Sequence, residues 1–340
     1  MEKKIVLVVN EFQNIINFRL SLINYLIHKN INLSIICYSR KTIKTNEIKK
    51  YTNVPVYFLS GTSKGKSLFK ELIGIYSLFK LIKNLNPDLI LSYTIKPNIY
   101  SSLISKLLKK NVIITLTGLG STYLEGGLFQ KFIFLLYRYL KSTRTYFIFQ
   151  NKSDLNVFKV QKLLNDRKFF LIPGSGIEIK EFKKDLSFIY NYNQNTFKFL
   201  FIGRLIKHKG IEEFYRAAEK LLSITKIKIK FIIIGAYDKK DTYSISHKLF
   251  KKISKNNNFR IISYTNNVAK FIKQSNCVIL TSKREGMPKS LLEASSIGRP
   301  LISSDVPGSK EIVIDGFNGY TYESGNIEDL FLKMSNMINL

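Results

Sequence analysis

Short, wholly apolar runs alternate along this chain with longer segments whose apolar residues recur every three or four positions. A run of four to seven apolar residues without a polar face reads as a strand covered on both sides. The longer periodic segments read as helices lying on those strands. In the first half, residues 5–9, 33–37, 54–59, 89–92 and 112–116 have strand character, and 18–28, 68–84 and 98–109 have helix character. Residues 146–150 and 169–172 extend the strand series. Pro173-Gly174-Ser175-Gly176 then breaks the pattern, and a polar stretch over 185–195 follows. A second series begins with strands at 197–203, 229–235, 259–263, 277–281 and 300–303. Its helices are expected at 211–222, around 244–255, and at 268–274, 290–296 and 327–337. Strand and helix in alternation predict parallel sheets covered by helices. Two such series without a sequence repeat predict an α/β protein of two facing Rossmann-like domains, 1–173 and 197–340, joined through 174–196. Ligands of such sheets sit beyond the carboxyl ends of the strands, so the expected active site is the cleft between the domains. Neither half carries Gly-x-Gly-x-x-Gly after its first strand, which argues against a dinucleotide enzyme.

The loops at those carboxyl ends carry the candidate chemistry. Ser282-Lys283-Arg284-Glu285-Gly286-Met287-Pro288-Lys289-Ser290-Leu291-Leu292-Glu293-Ala294 places two glutamates eight positions apart around a Gly-x-Pro turn. Pro288 suits the first position of a helix, whose free N–H groups and positive dipole end favour a phosphate at the turn. Glu285 in the loop and Glu293 in the helix would then grip hydroxyls of a sugar carried on that phosphate. In Phe201-Ile202-Gly203-Arg204-Leu205-Ile206-Lys207-His208-Lys209-Gly210, a strand ends at Gly203 and a basic loop leads into a helix. Arg204 and Lys209 are placed to neutralise a diphosphate, arginine through a bidentate fork. His208 is either a further phosphate contact or a surface residue, and Lys207 is expected to be solvated.

In the first domain, Thr117-Gly118-Leu119-Gly120-Ser121 follows a strand as a glycine-rich loop. Ser92-Tyr93-Thr94-Ile95-Lys96-Pro97-Asn98 follows an earlier one. Its Lys96 and Asn98 either face a sugar or phosphate or serve turn formation and helix capping. Asn10-Glu11-Phe12-Gln13-Asn14 is expected as a loop lining the same cleft, with Glu11 either its acid or a solvated loop glutamate, and Arg19 in the following helix. No Asp-x-Asp pair ends a strand, Asp238-Lys239-Lys240-Asp241 reads as a surface turn, and no His, Asp or Cys cluster has metal-ligand spacing. No metal or other cofactor is expected.

Charge changes the picture in one respect. Lys and Arg outnumber Asp and Glu by 54 to 24, a formal charge of +30. Abundant Lys, Asn, Ile, Tyr and Phe are what an AT-rich genome produces, so part of the charge is a coding bias; the remainder suits an anionic partner. No zinc-finger spacing or RNP1-like aromatic string points to nucleic acid. Residues 128–146 are basic and aromatic together, either a helix lying on an anionic membrane or a core helix with a basic wet side. The apolar run after Lys4 is too short for a signal peptide or a membrane span. Cys37 and Cys277 sit apart in strand-like runs, so a reducing cytoplasm is the simplest setting.

Taken together, Asn17-Phe18-Arg19, Tyr93-Thr94-Ile95-Lys96-Pro97-Asn98, Thr117-Gly118-Leu119-Gly120, Pro173-Gly174-Ser175-Gly176-Ile177, Gly203-Arg204-Leu205 and Arg284-Glu285-Gly286-Met287-Pro288 resemble the motifs of glycosyltransferase family 4, in the branch serving bacterial capsule, O-antigen and protein glycans. The resemblance covers nearly the whole chain. It implies a GT-B fold, a UDP-sugar donor held by the second domain, an acceptor held by the first, and metal-independent transfer with retention of anomeric configuration. On matching positions it implies that Arg204 and Lys209 hold the diphosphate and stabilise departing UDP. Glu285 would contact the donor sugar and Glu293 the ribose. Gly203, the backbone of Gly286 and Met287, and Pro288 would complete the donor site, with Tyr264 to Val268 beside the uracil. The acceptor side would include Glu11, Arg19, Lys96, Asn98, Gly118 and Gly120. The glycine pair common after the first strand is replaced by Asn10–Asn14. A final helix crossing back onto the first domain is common in relatives, whereas here the sequence ends at Leu340, soon after the helix at 327–337.

The expected function is therefore transfer of a hexose or N-acetylhexosamine from a UDP-sugar to a polyprenyl-diphosphate-linked saccharide, on the cytoplasmic face of the inner membrane, with peripheral contact to anionic lipid and no nucleic-acid partner. A UDP-N-acetylglucosamine 2-epimerase shares the two-domain architecture, but it would need acid and histidine groups for proton abstraction, and only His28, His208 and His247 are present. A basic nucleic-acid-binding protein is the non-enzymatic rival.

Overall fold

The computed structural model describes residues 2–39, 48–59, 68–120, 123, 126–164, 168–180, 182 and 196–339. Ser121 and most of the segment expected to join the domains, 181 and 183–195, lie outside the described residues. The chain forms two compact units, Met1–Ser175 and Gly176–Leu340.

In the first unit seven strands build one sheet: β1 (Lys4–Glu11), β2 (Asn32–Ser39), β3 (Val56–Phe58), β4 (Leu89–Tyr93), β5 (Asn111–Leu116), β6 (Thr145–Phe149) and β7 (Phe169–Leu171). Their order is β3-β2-β1-β4-β5-β6-β7, and every pairing is parallel. The helices are α1 (Phe12–Phe18), α2 (Leu20–His28), α3 (Leu68–Leu85), α4 (Ile95–Leu108), α5 (Gly127–Leu140) and α6 (Lys152–Val160). The central strands lack a polar face because both faces are covered. Val6, Val8, Ile90, Val112 and Ile114 meet Leu78, Ile82, Ile104, Tyr137 and Phe158 of α3 to α6. On the other side Leu7, Val9, Ile35 and Cys37 meet Phe12, Ile15 and Ile23 of α1 and α2.

The second unit repeats the plan with β8 (Thr196–Ile202), β9 (Lys228–Ile234), β10 (Phe259–Ile262), β11 (Cys277–Leu280), β12 (Leu301–Ser304) and β13 (Gly319–Tyr322), in the order β10-β9-β8-β11-β12-β13, again all parallel. Its helices are α7 (Ile211–Ile224), α8 (His247–Lys255), α9 (Val268–Lys273), α10 (Lys289–Ile297) and α11 (Ile327–Ile338). One face of this sheet is filled by aromatic rings. Phe231 stacks on Phe259 at 4.7 Å and on Phe199 at 5.7 Å, and meets Phe214 edge-on at 5.8 Å. The buried Arg299 donates to the carbonyls of Ile272 and Lys273 at 3.3 and 3.0 Å, placing a cation on the C-terminal end of α9.

Both sheets reverse strand order beside their first strand, at β1/β4 and at β8/β11. Loops leaving neighbouring strands at such a point run to opposite faces and leave a crevice.

Three local expectations change. β1 continues to Glu11 and α1 starts at Phe12, so Asn10–Asn14 is not an open loop: Phe12 and Ile15 are buried and draw the chain straight into a helix. Helix α4 starts at Ile95, not near Asn98. Residues 128–146 divide into α5 and the start of β6. Helix α6 and strand β13 were not expected: α6 is short, buries only Asp154, Leu155 and Phe158 and is marked only by its Asn151 cap, and β13 is Gly-Tyr-Thr-Tyr.

Replacing Phe231 by Ala removes the ring shared by three aromatic contacts. Chemical denaturation is expected to show a loss of about 3–5 kcal/mol for the second unit.

Candidate active site

The loop after β8 is held down by its neighbours before it presents any charge. Gly203 N–H donates to Ile234 O at 2.9 Å and Leu205 N–H to Ala236 O at 3.1 Å, which ties the loop to the end of β9. A Cβ on Gly235 would stand 1.9 Å from Gly203 O, so only glycine allows this crossing. Leu205 and Ile206 are buried while Arg204 and Lys207 are exposed, so the apolar pair anchors the loop and turns its charges outward. A single 3-10 turn, Lys207–Lys209, ends at Gly210 with φ 67°, and α7 follows.

That turn is laced to the loop after β11, the adjacent strand at the switch point. A Cβ on Gly210 would lie 2.0 Å from Thr281 O. The Thr281 hydroxyl donates to Lys209 O at 2.8 Å, and Lys283 N–H donates to His208 O at 2.9 Å. The loop after β12 closes on the same place. Ser304 Oγ donates to Ser282 O at 2.5 Å, Glu285 N–H donates to Pro307 O at 3.3 Å, and a Cβ on Gly308 (φ 83°) would be 2.4 Å from Gly286 O. Three successive carboxyl-edge loops therefore share backbone contacts.

On this frame Lys209 Nζ donates to Glu285 Oε1, and the two side chains are 22% and 14% exposed. Lysine from one loop and glutamate from the next thus meet as a half-buried ion pair. Pro288 is the N-cap of α10, at φ −72° and ψ 114°, and the helix begins at Lys289, one residue later than expected. Its ring still leaves the first-turn N–H groups directed at the Gly286–Met287 turn. Glu293 lies in the second turn of α10, buried, with Lys289 Nζ 3.3 Å from its carboxylate. His208 is half-buried against the edge of Tyr243. Burial first, then the charges of Arg204 and Lys209, push its pKa below the ordinary histidine value. Tyr264, after β10, is exposed. Among the described residues no group of three His, Cys, Asp or Glu side chains is placed to hold a metal ion.

The switch point of the first unit is built differently. Arg19, between α1 and α2, is 5% exposed and lies over the Tyr93 ring at 3.8 Å. Its Nη1 donates to Ser175 Oγ at 3.0 Å, and Gln150 Nε2 donates to the same oxygen at 3.2 Å. Burial lowers its pKa. Next to Tyr93, Thr94 adopts φ 75° and ψ 158°, a region suited almost only to glycine. The strain falls at the carboxyl end of β4, where α4 begins.

The other expected residues of this unit are spread out. Lys96 pairs with Glu71 of α3 at 2.7 Å, and Tyr100 donates to the same carboxylate at 2.6 Å. Asn98 is neither a cap nor a surface group: it is wholly buried inside α4 and donates to Thr115 O at 3.0 Å, fastening the helix to β5. Glu11 is the N-cap of α1 without a capping hydrogen bond. Gly118 and Gly120 follow β5 at φ 112° and 61°. Thr281, Gly308 and Thr94 escaped the sequence reading. Gly308 in Val-Pro-Gly-Ser carried a turn signal, but nothing in sequence says which backbone it meets.

Residues 4–151 match the family described as glycosyl transferase 4-like, and residues 182–340 match the glycosyl transferases group 1. Over 281 residues the chain is 30% identical to an N,N'-diacetylbacillosaminyl-diphospho-undecaprenol alpha-1,3-N-acetylgalactosaminyltransferase of Campylobacter jejuni, covering 78% of this chain and 72% of that one. It is 25% identical to a UDP-Gal:alpha-D-GlcNAc-diphosphoundecaprenol alpha-1,3-galactosyltransferase of Escherichia coli, over 81% and 73% of the two chains. Among solved structures, HepE of Anabaena in complex with UDP and glucose superposes with a TM-score of 0.78 at 17% identity, covering 99% of this chain and 90% of that one. Sucrose-phosphate synthase of Thermosynechococcus elongatus does so at 0.76 and 15%, with the same coverage. At these identities the two structures speak to the fold.

Gly210→Ala is expected to cost at least ~2 kcal/mol in denaturant unfolding, because its Cβ meets a backbone oxygen and its φ is positive. Thr94→Gly is expected to raise stability by about 1 kcal/mol, the relief of strain less the entropy of glycine; an unchanged melting temperature would show that Thr94 carries no strain.

Proposed function

The chain belongs to glycosyltransferase family 4 and has the GT-B fold, and on that premise we propose that it transfers a hexose or N-acetylhexosamine from a UDP-sugar to a polyprenyl-diphosphate-linked saccharide, with retention of anomeric configuration. The observation that carries the donor assignment is the Lys209–Glu285 pair, set by three laced loops at the switch point of the second sheet. Arg204 and Lys209 supply positive charge for a diphosphate, and the turn before α10 adds N–H donors. Glu285 then accepts hydroxyl hydrogens of the donor sugar, Glu293 those of the ribose, and Tyr264 lies beside the base. The names of the Campylobacter and Escherichia relatives support a lipid-diphosphate-linked acceptor. The first unit would receive it, with the Arg19–Tyr93 stack and Thr94 bordering its site.

The chemistry required is stabilisation of a leaving group. An acceptor hydroxyl oxygen bonds to the anomeric carbon as the bond to the β-phosphate oxygen breaks, and the hydroxyl proton passes to that phosphate. Arg204 and Lys209 hold the charge that develops on UDP. The part of these two cations is electrostatic. Among the described residues no helix is long and apolar enough to cross a membrane. Peripheral contact with the anionic cytoplasmic leaflet is the corresponding proposal for location.

UDP and UDP-sugars are expected to raise the melting temperature without added metal. Arg204→Ala should weaken UDP binding about 10- to 100-fold, the loss of a charge-assisted contact; unchanged affinity would remove the donor assignment. UDP affinity should also rise on acidification. His208 is held neutral in the free protein below its ordinary pKa, and a bound diphosphate raises that pKa. Binding therefore takes up a proton, and affinity climbs as pH falls from the higher value of the complex to the lower value of the free protein. Followed by calorimetry with a UDP-hexose, whose diphosphate has no group titrating in this range, the slope should be flat in His208→Gln.

A further inference from the structure

Two helices of the first unit carry large apolar side chains on the side turned away from their sheet. In α5, Ile133, Tyr137 and Leu140 are buried in the core, yet Leu128, Phe129, Phe132, Leu135 and Tyr139 are all more than half exposed. Positions 128, 132, 135 and 139 form one stripe along a helix. In α3, Leu78 and Ile82 fill the core from the later turns, while Phe69, Leu72, Ile73 and Tyr76 stand exposed on the earlier ones. Helix α4 packs against both and lies between them. Its buried side includes the small Ser101, Ser102 and Ser105.

The topology puts these residues at one end. Helices α3, α4 and α5 each connect strands of one parallel sheet, so all three start at its carboxyl edge. The contacts agree: Lys96 and Tyr100 in the first turns of α4 hold Glu71 in the first turn of α3, and Lys106 near the end of α4 donates to Tyr139 O near the end of α5 at 3.0 Å. Phe69 to Tyr76 and Leu128 to Phe132 therefore border the carboxyl edge on which the candidate acceptor residues lie. The charges on these helices are nearly all positive. Lys70, Lys80, Lys83, Lys131 and Arg138 face a single acid, Glu71, and that carboxylate is already bound by Lys96 and Tyr100.

We propose that this α3–α5 face docks on an anionic lipid bilayer, inserting Phe69, Leu72, Leu128, Phe129 and Phe132 at the headgroup boundary while Lys70 and Lys131 meet lipid phosphates. Large apolar side chains exposed in a row on each of two helices call for a partner, and an apolar stripe rimmed by lysine is what an interfacial helix needs. A second copy of the chain is a poorer occupant, because pairing this face with itself brings its basic rims together. Nucleic acid would answer the lysines but not the exposed phenylalanines. The proposal rests on the reading of a lipid-linked acceptor, since it would present the carboxyl edge of the first unit to the surface where such an acceptor resides.

Flotation of the full-length protein with vesicles rich in phosphatidylglycerol, against pure phosphatidylcholine, tests this without acceptor or donor. Binding is expected to the anionic vesicles. Phe129→Glu with Phe132→Glu should abolish it, and Lys70→Gln or Lys131→Gln should weaken it about fivefold each. Phe317→Glu, at a still more exposed ring in the second unit, should leave it unchanged. Melting temperatures of the variants should match the parent, since none of these side chains is in a core. No binding to anionic vesicles, or binding that survives the double substitution, overturns the proposal, as does a dimer in light scattering that the double substitution dissolves. UDP-sugar hydrolysis and transfer to a detergent-dispersed acceptor are followed in parallel. Vesicle binding without any transfer would leave the docking face standing and sink the transferase reading, and transfer without vesicle binding would do the reverse.

Discussion

The candidate site of the second unit depends on a backbone-to-backbone approach. Where β8 and β11 lie side by side at the switch point, Gly210 comes so near the carbonyl of Thr281 that no side chain fits between them. That approach sets the distance between two loops, and the bonds from Thr281 to Lys209 and from Lys283 to His208 fix their register. Lysine and glutamate side chains are long and lose much rotamer freedom when held. They meet here because their main chains are already fixed. The ordering cost falls on loops tied by buried hydrogen bonds, which is why a half-buried ion pair is sustainable at the rim of a sheet.

The two switch points use opposite solutions. In the second unit Arg204 is at the surface and Lys209 half-buried with a carboxylate beside it, so an arriving anion would meet positive charge at little desolvation cost. In the first unit Arg19 is buried, stacked on Tyr93 and fixed by Ser175, and the separate loop that follows Tyr93 is strained at Thr94. A rigid guanidinium under a tight turn suits recognition by shape. Cations held at an open rim suit a substrate whose charge changes during reaction. The division of labour between donor and acceptor proposed above follows this physical difference.

The charge of +30 is spread over both units, and its meaning is local. On α7, α8 and α11, lysines and arginines pair with glutamates, as Arg216 does with Glu212 and Lys252 with Glu219. Exposed pairs of this kind contribute little to stability. On α3 and α5 the same residue types lie among exposed phenylalanines and leucines, and among the described residues of these two helices Glu71 is the one acid. Composition cannot separate a solvated basic helix from one meant for an anionic surface. The exposure of neighbouring apolar residues can.

Much was legible in the sequence because local physics decided it. Strands buried on both faces must be continuous apolar runs, so every strand of both sheets except β13 was marked by its own residues; β13 is four residues of Gly, Tyr and Thr with no such run. Helices α2, α3, α7 and α10 announced themselves through period and flanking turns. The glutamate pair around Gly286-Met287-Pro288 and the basic loop after Gly203 were readable because glycine, proline and charge at strand ends have few other uses. What remained hidden lies in distances across sequence. Asn98 looked available to a ligand, yet Thr115, 17 residues away, takes its amide into the core. Lys96 looked free to bind an anion until Glu71 of α3 was placed beside it. The outward stripe of α5 is apolar on paper whichever way the helix is turned; the sheet beneath decides which side is buried. Local sequence thus determined the elements and the chemistry offered at strand ends, because backbone preference and hydrophobic period act over a few residues. Tertiary structure alone decided which of those side chains meet, because burial and partner choice are set by elements far apart in the chain.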